Sequence, residues 1–167
     1  MTDQQRLADL TELLTRLGAP DPSGWARSEL EEDIPQVARF LFLRQAWQHV
    51  VGDGDQTWID AWRDLAAQSP SAPCAGIGPA LERLLAAGAD SDDLTTVVRV
   101  MQYSTLFGLC YLLDDPGDVE PEVAELGWAL VEVDEEGTVG RHIGALHESL
   151  LETDPSGREM RPRGFEP

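Results

Sequence analysis

Leucine returns at positions 7, 10, 13, 14 and 17, the 3, 4 and 7 spacing that lines one face of an α-helix. The same period recurs along most of the chain, so a mainly helical architecture is the strongest single constraint. Thr2 or Asp3 can cap this first helix, and Gly18, followed by Pro20 and Pro22, stops it. The next periodic stretch is SELEEDIPQVARFLFLRQAWQHVVGDGD, with Val37, Phe40, Leu41, Trp47 and Val51 in register. Four acids in five residues precede Pro35, which predicts an acidic first turn set against the positive end of the helix dipole. Trp58, Ile59, Trp62 and Leu65 predict a third helix capped by Asp55 or Thr57. SPSAPCAGIGP then breaks the pattern before a short helix through Leu81, Leu84 and Leu85. A long helix is expected to start at Ser91, with Asp92 and Asp93 behind it, and to end near Asp114. Its second half, LFGLCYLL, is apolar almost all round and is expected to be buried on several sides.

The period changes after Pro116. In GWALVEVDEEGTVGRHIG, Val131 and Val133 alternate with polar neighbours and DEEG supplies a turn, so a β-hairpin is expected. ALHESLLETD returns to helical spacing. The reading is a single-domain helical bundle of about five to six helices over residues 1–155, with the small hairpin near its C-terminal end. Residues 156–167 are expected to form an irregular Arg- and Pro-containing tail. Hydrophobic residues make up 42% of the 167, enough to bury a core without disulfides or metals.

Charge narrows the functional classes. Thirty-one acidic residues face twelve basic ones, every one an arginine, for a net −19. The absence of lysine beside abundant Ala, Gly, Leu and Arg points to a GC-rich bacterial genome. A charge of −19 disfavours nucleic acid and anionic membrane as partners and suits a basic protein steered in electrostatically. The N-terminus, MTDQQRLADL, has neither the basic start nor the apolar run of a signal peptide, and no eighteen consecutive residues are apolar. A cytoplasmic protein is expected.

Motifs of chemistry are weak. His142 and His147 stand five apart, which places them on nearly opposite faces of a helix and on opposite faces of a strand. His147-Glu148 begins like the zinc-protease motif, but Leu151 occupies the place of its second histidine. DGDQTWIDAWRD has acids where a calcium loop needs them, yet Trp58 stands where that loop requires glycine. No phosphate-binding glycine pattern, GxSxG elbow or CxxC occurs. Cys74 and Cys110 read as reduced thiols. No metal and no cofactor is expected. The catalytic candidates are His147 and Glu148, with Arg141 and Cys110 next to test. Trp58 and Trp62, one turn apart, read as core, with an exposed aromatic patch as the alternative.

The strongest feature is distributed. No basic residue lies between Arg99 and Arg141, and ten carboxylates fall within residues 114–136. Asp114, Asp115, Asp118, Glu120, Glu132, Asp134, Glu135 and Glu136 are therefore the candidate partner-binding residues, on a predicted loop and hairpin. Arg141, the first cation after forty-one residues without one, is placed to steady them. The sequence leads to a small acidic interaction protein of the bacterial cytoplasm, similar in general style to the immunity proteins that inhibit bacterial toxins. Its expected partner is a basic protein. One alternative is a small enzyme or ligand-binding protein with a site around His147 and Glu148. Another is a structural subunit whose LFGLCYLL surface is buried against a partner.

Overall fold

A computed structural model describes residues 1–115, 117, 121–123 and 125–164. Among these are seven α-helices and one two-stranded antiparallel hairpin, so the fold is mainly α as the periodicity requires. The helices are α1 (Asp3–Leu17), α2 (Pro22–Glu31), α3 (Gln36–Ala46), α4 (Thr57–Gln68), α5 (Ile77–Ala86), α6 (Ser91–Asp114) and α7 (Leu146–Ser149). The strands are β1 (Val131–Val133) and β2 (Val139–His142). Contacts divide the chain into two compact units, residues 49–104 and the rest.

The larger unit starts with α1. Thr2 caps it by accepting from Gln5 N at 3.2 Å, and Gly18 closes it in the left-handed region at φ 85°. The second predicted helix is in fact two. The acids of ELEED end α2 instead of opening a helix, because Asp33, at φ 56°, and Pro35 break the chain between α2 and α3. Negative charge still reaches the start of α3, but across the break: Val37 N donates to Glu29 Oε2 at 2.8 Å. Leu14, Trp25, Ala26 and Phe40 form the core of these helices, with Trp25 and Phe40 edge to face at 5.6 Å.

The C-terminal segment is tied to those helices through tryptophan. The Trp47 indole N–H donates to Leu150 O at 3.1 Å and Thr153 Oγ1 at 3.2 Å, and that of Trp25 donates to Glu152 Oε1 at 3.2 Å. Leu146 and Leu150 are wholly buried, as the ALHESLLETD pattern implies, whereas Leu151 of the same pattern is exposed. Beyond them Asp154 accepts from Ser156 N and Met160 N, so the start of the tail is folded into a tight turn. In the hairpin Val131 pairs with His142 and Val133 with Val139, with a bulge between. Its turn needs Gly137 at φ 80°, where Gly137 N donates back to Asp134 O.

The smaller unit holds α4, α5 and the first part of α6. Asp55 accepts from Thr57 N and Oγ1 to start α4, and Asp90, one residue before Ser91, caps α6 through Asp92 N at 2.7 Å. Trp58, Ile59 and Leu81 make its core, and the Trp58 N–H is satisfied by Thr95 Oγ1 at 3.0 Å. Trp62, one turn on, is partly exposed over a small cavity of about 130 Å³ beside Leu65, Cys74 and Ile77. On α6, Arg99 Nη1 donates to Val51 O at 2.6 Å and Gln102 accepts from Val51 N at 2.7 Å.

Burial of α6 differs from expectation. In its second half only Leu106, Cys110 and Leu113 turn inward, at i, i+4 and i+7, while Phe107, Leu109, Tyr111 and Leu112 are exposed. An apolar sequence all round the helix thus leaves part of its surface exposed. Among the described residues α6 is also the helix long and apolar enough, by length and composition, to cross a membrane. It passes on average hydropathy, not on an unbroken apolar run.

Helices α4 and α5 approach closely at Gly78, where an added Cβ would lie 2.6 Å from Ala66 Cβ. Gly78→Ala should therefore destabilise the protein by about 1–3 kcal/mol through overpacking. Ala66→Gly in the same chain should recover part of that loss, a coupling readable as the non-additivity of urea midpoints.

Candidate functional site

Asp114 ends α6 and reaches α7, thirty-three residues later. Its Oδ2 accepts from His147 N at 3.1 Å and sits 2.6 Å from His147 Nδ1. A carboxylate at Nδ1 fixes the proton on that nitrogen and leaves Nε2 with the lone pair, the tautomer a general base needs. Ala145, left-handed at φ 54°, aims the first turn of α7 at the carboxylate. Phe107 and Tyr111 present their edges to the imidazole at 5.8 and 5.0 Å. The Asp114 side chain is 8% exposed, and among the described residues its buried Oδ1 has no hydrogen-bond partner. Arg39, also buried, has its pKa lowered by desolvation, against which the charges of Asp114 and Glu148 act. Cys110 is pushed up to about 11 by burial and by the charge of Asp114, so its thiol stays protonated at neutral pH. The structure thus joins His147 to Asp114 and brings the charge of Glu148 to bear on Arg39. His142 stays exposed on β2. Among the described residues no group of three His, Cys, Asp or Glu side chains could hold a metal ion.

The acidic candidates divide. Asp114 faces inward, and Glu132 is engaged by Arg141. Asp118 and Glu120 lie outside the described residues. Asp115, Asp134, Glu135 and Glu136 are exposed. Asp115 turns back to accept from Gly117 N, and Asp134 accepts from Thr138 N and Glu136 N, holding the hairpin turn. Those bonds, that to Thr138 N first, lower the Asp134 pKa. Glu122 and Glu125 are exposed as well. Arg141 steadies the segment through Glu132, which it grips with Nε at 2.7 Å and Nη2 at 2.9 Å. The same guanidinium reaches Glu29 at 2.8 Å and Asp33 at 3.4 Å. Three carboxylates thus share it, and its pKa is raised, chiefly by the bond to Glu132.

The exposed side of α6 is the feature that the main sequence reading placed inside, although one of its alternatives set the LFGLCYLL surface against a partner. Between Asp93 and Asp114 the helix carries one charged residue, Arg99, which is buried. Val97, Val100, Met101, Leu109 and Leu112 are each 44–62% exposed. Gly108 lies among them with open space where a Cβ would be. Glycine within a helix costs roughly 0.5–1 kcal/mol relative to alanine, and among the described residues no neighbour requires it. At the end of the helix the Trp128 N–H donates to Leu112 O at 2.7 Å, satisfying one of the last carbonyls. The signal available in the sequence was the 3.6 period of Thr95, Arg99 and Cys110 against Val97, Met101, Ser104 and Gly108, which separates a packed side from an open one.

No protein-family model, no curated protein and no solved structure matches the chain.

Arg141 holds the carboxyl of Glu132 below its ordinary range, first by hydrogen bonding. The stabilisation this brings is complete above the ordinary pKa of about 4.3 and is lost as pH falls through the lower, folded-state value. Glu132→Gln should abolish that part of the acid dependence, so urea midpoints below pH 5 should fall less steeply in the variant than in the native chain.

Proposed function

We propose that the protein is a small interaction protein of the bacterial cytoplasm that binds a basic protein partner, in the manner of an immunity or inhibitor protein. The observation that carries this reading is the state of the carboxylates around the hairpin. Glu135 and Glu136 stand exposed on its turn and Glu122 and Glu125 are exposed before it, while Arg141, the first cation that follows in sequence, is taken up by Glu29, Asp33 and Glu132. Among the described residues no cation pairs with these four carboxylates, which together offer negative charge for arginine- or lysine-rich contacts. The net charge of −19 adds long-range attraction for the same class of partner. Asp115 and Asp134 work partly as turn caps, so charge alone is best tested elsewhere.

Affinity capture from the native cell at low salt should retrieve a basic protein whose retention falls as salt rises. Replacing Glu122, Glu125, Glu135 and Glu136 by Gln should weaken capture about tenfold or more, roughly 1.4 kcal/mol, with an unchanged helical spectrum. Retention of an equal amount of partner by the four-fold variant would overturn the reading.

One observation favours a second reading. The Asp114–His147 pair has the geometry of an oriented general base. Turnover of simple ester or phosphoester substrates by the native chain, lost in a folded His147→Ala variant, would establish it. A variant that loses only thermal stability, with no turnover in either chain, would leave the imidazole as the anchor of α7.

A further inference from the structure

We infer that the groove lined by α1, α2 and Arg141 binds an apolar side chain flanked by lysine or arginine, presented by the basic partner proposed above. The inference rests on that reading and names what such a partner must carry. The groove lies wholly within the larger unit and has a volume of about 530 Å³. Ligand sites typically run from about 300 to 1,000 Å³, so there is room for more than one side chain. Its apolar lining is Leu10 and Leu13 of α1 and Leu30 of α2, each only half-buried by the chain itself. Leu10 also packs on the cluster of Leu14, Trp25 and Phe40, so this strip is backed by fixed core.

Charge complementarity fixes the class of occupant. Asp9, Glu29 and Asp33 line the groove with Arg6 and Arg141. Glu29 is occupied within the chain, accepting from Arg141 on Oε1 and from Val37 N on Oε2. Arg141 is shared among Glu29, Glu132 and Asp33, so it has little to offer a further anion. Asp33 differs. Its side chain is 87% exposed and its contact with Arg141, at 3.4 Å, is the longest of the three, which leaves its carboxylate able to accept a second cation. Asp9 accepts from the neutral amide of Gln5 at 2.9 Å and keeps its charge unpaired. The opposing charge is Arg6, itself held loosely by Asp3 at 3.8 Å. The −19 of the whole chain favours a cation over an anion from a distance. Arg141 also makes the groove continuous with the hairpin, because the guanidinium that holds Glu29 and Asp33 holds Glu132 of β1. Exposed acids attract a basic protein without fixing its pose. An apolar anchor seated on the three leucines would fix it.

The probe is a fluorescein-labelled Lys-Leu-Lys-Leu-Lys peptide amide titrated with the full chain and read by anisotropy at about 0.15 M salt. Saturable binding is expected, with the methyl resonances of Leu10, Leu13 and Leu30 shifted. A Lys-Ser-Lys-Ser-Lys peptide of equal charge should bind about tenfold more weakly, and a Glu-Leu-Glu-Leu-Glu peptide should not bind. Leu13→Ala and Asp33→Asn should each weaken binding about threefold or more with the helical spectrum retained. Asparagine tolerates the left-handed φ of 56° at position 33. Arg6→Gln should strengthen binding, because it removes a like charge from the lining. Equal binding of the serine peptide, tighter binding of the acidic one, or shifts confined to the hairpin would each overturn the inference. In capture from the native cell, Leu13→Ala should retain less of the basic partner than the native chain does. Equal capture by both overturns the groove and leaves the acidic surface standing. If no basic protein is captured while the Lys-Leu peptide still shifts the three leucines, the reading of the partner fails and the groove holds.

Discussion

Asp114 is a carboxylate withdrawn from water at the end of a long apolar helix, and much of the larger unit is arranged around keeping it there. Burying an ionised carboxylate costs several kcal/mol unless charge and hydrogen bonds replace its water. Two donors of His147, both on Oδ2, and the nearby charge of Arg39 do so in part, while the buried Oδ1 has no hydrogen-bond partner among the described residues. In meeting that demand they fix the end of α6, the left-handed step at Ala145 and the start of α7. Once α7 is placed, Leu146 and Leu150 are carried into the core and the carbonyl of Leu150 reaches the indole of Trp47. One costly group thus orders a C-terminal segment whose own helix is a single turn long and could not persist alone.

Features decided within a few residues were legible in the sequence. Thr2 and Gly18 bound α1, Asp55 starts α4, and DEEG turns the hairpin, because caps and turns are local chemistry. Helical period marked Trp47 and Trp58 as core, although Trp62, in the same period, is partly exposed. Features that depend on distant partners were not legible. Glu29 belongs to α2 yet satisfies the start of α3 and one arm of Arg141. The pairing of Asp114 with His147 spans thirty-three residues, and nothing in either neighbourhood announces it. Counting carboxylates between Arg99 and Arg141 found an acidic region but could not separate Asp114 and Glu132, which His147 and Arg141 engage, from Glu135 and Glu136, which face water. Period could divide α6 into two faces. It could not say that only one of them would be covered.

Arg141 shows how the chain manages its excess of acid. A guanidinium offers five donors in a rigid fork, and here they are distributed over Glu132, Glu29 and Asp33, from a strand, a helix and a helix break. A single cation so used joins three elements and relieves repulsion among three carboxylates. It leaves the turn acids unrelieved, since no second cation lies within the segment. Repulsion of that kind is tolerable at an exposed hairpin, where water and salt screen it, and would not be in the core.

Spacing sets the field near Glu135 and Glu136. At about 0.1 M salt the screening length is about 10 Å. Adjacent carboxylates on the hairpin turn lie well within that length of one another, so their fields add, and the cationic partner proposed for this surface would be drawn in from solution. Helix α6 carries no such field between Asp93 and Asp114, where its one charged residue, Arg99, is buried.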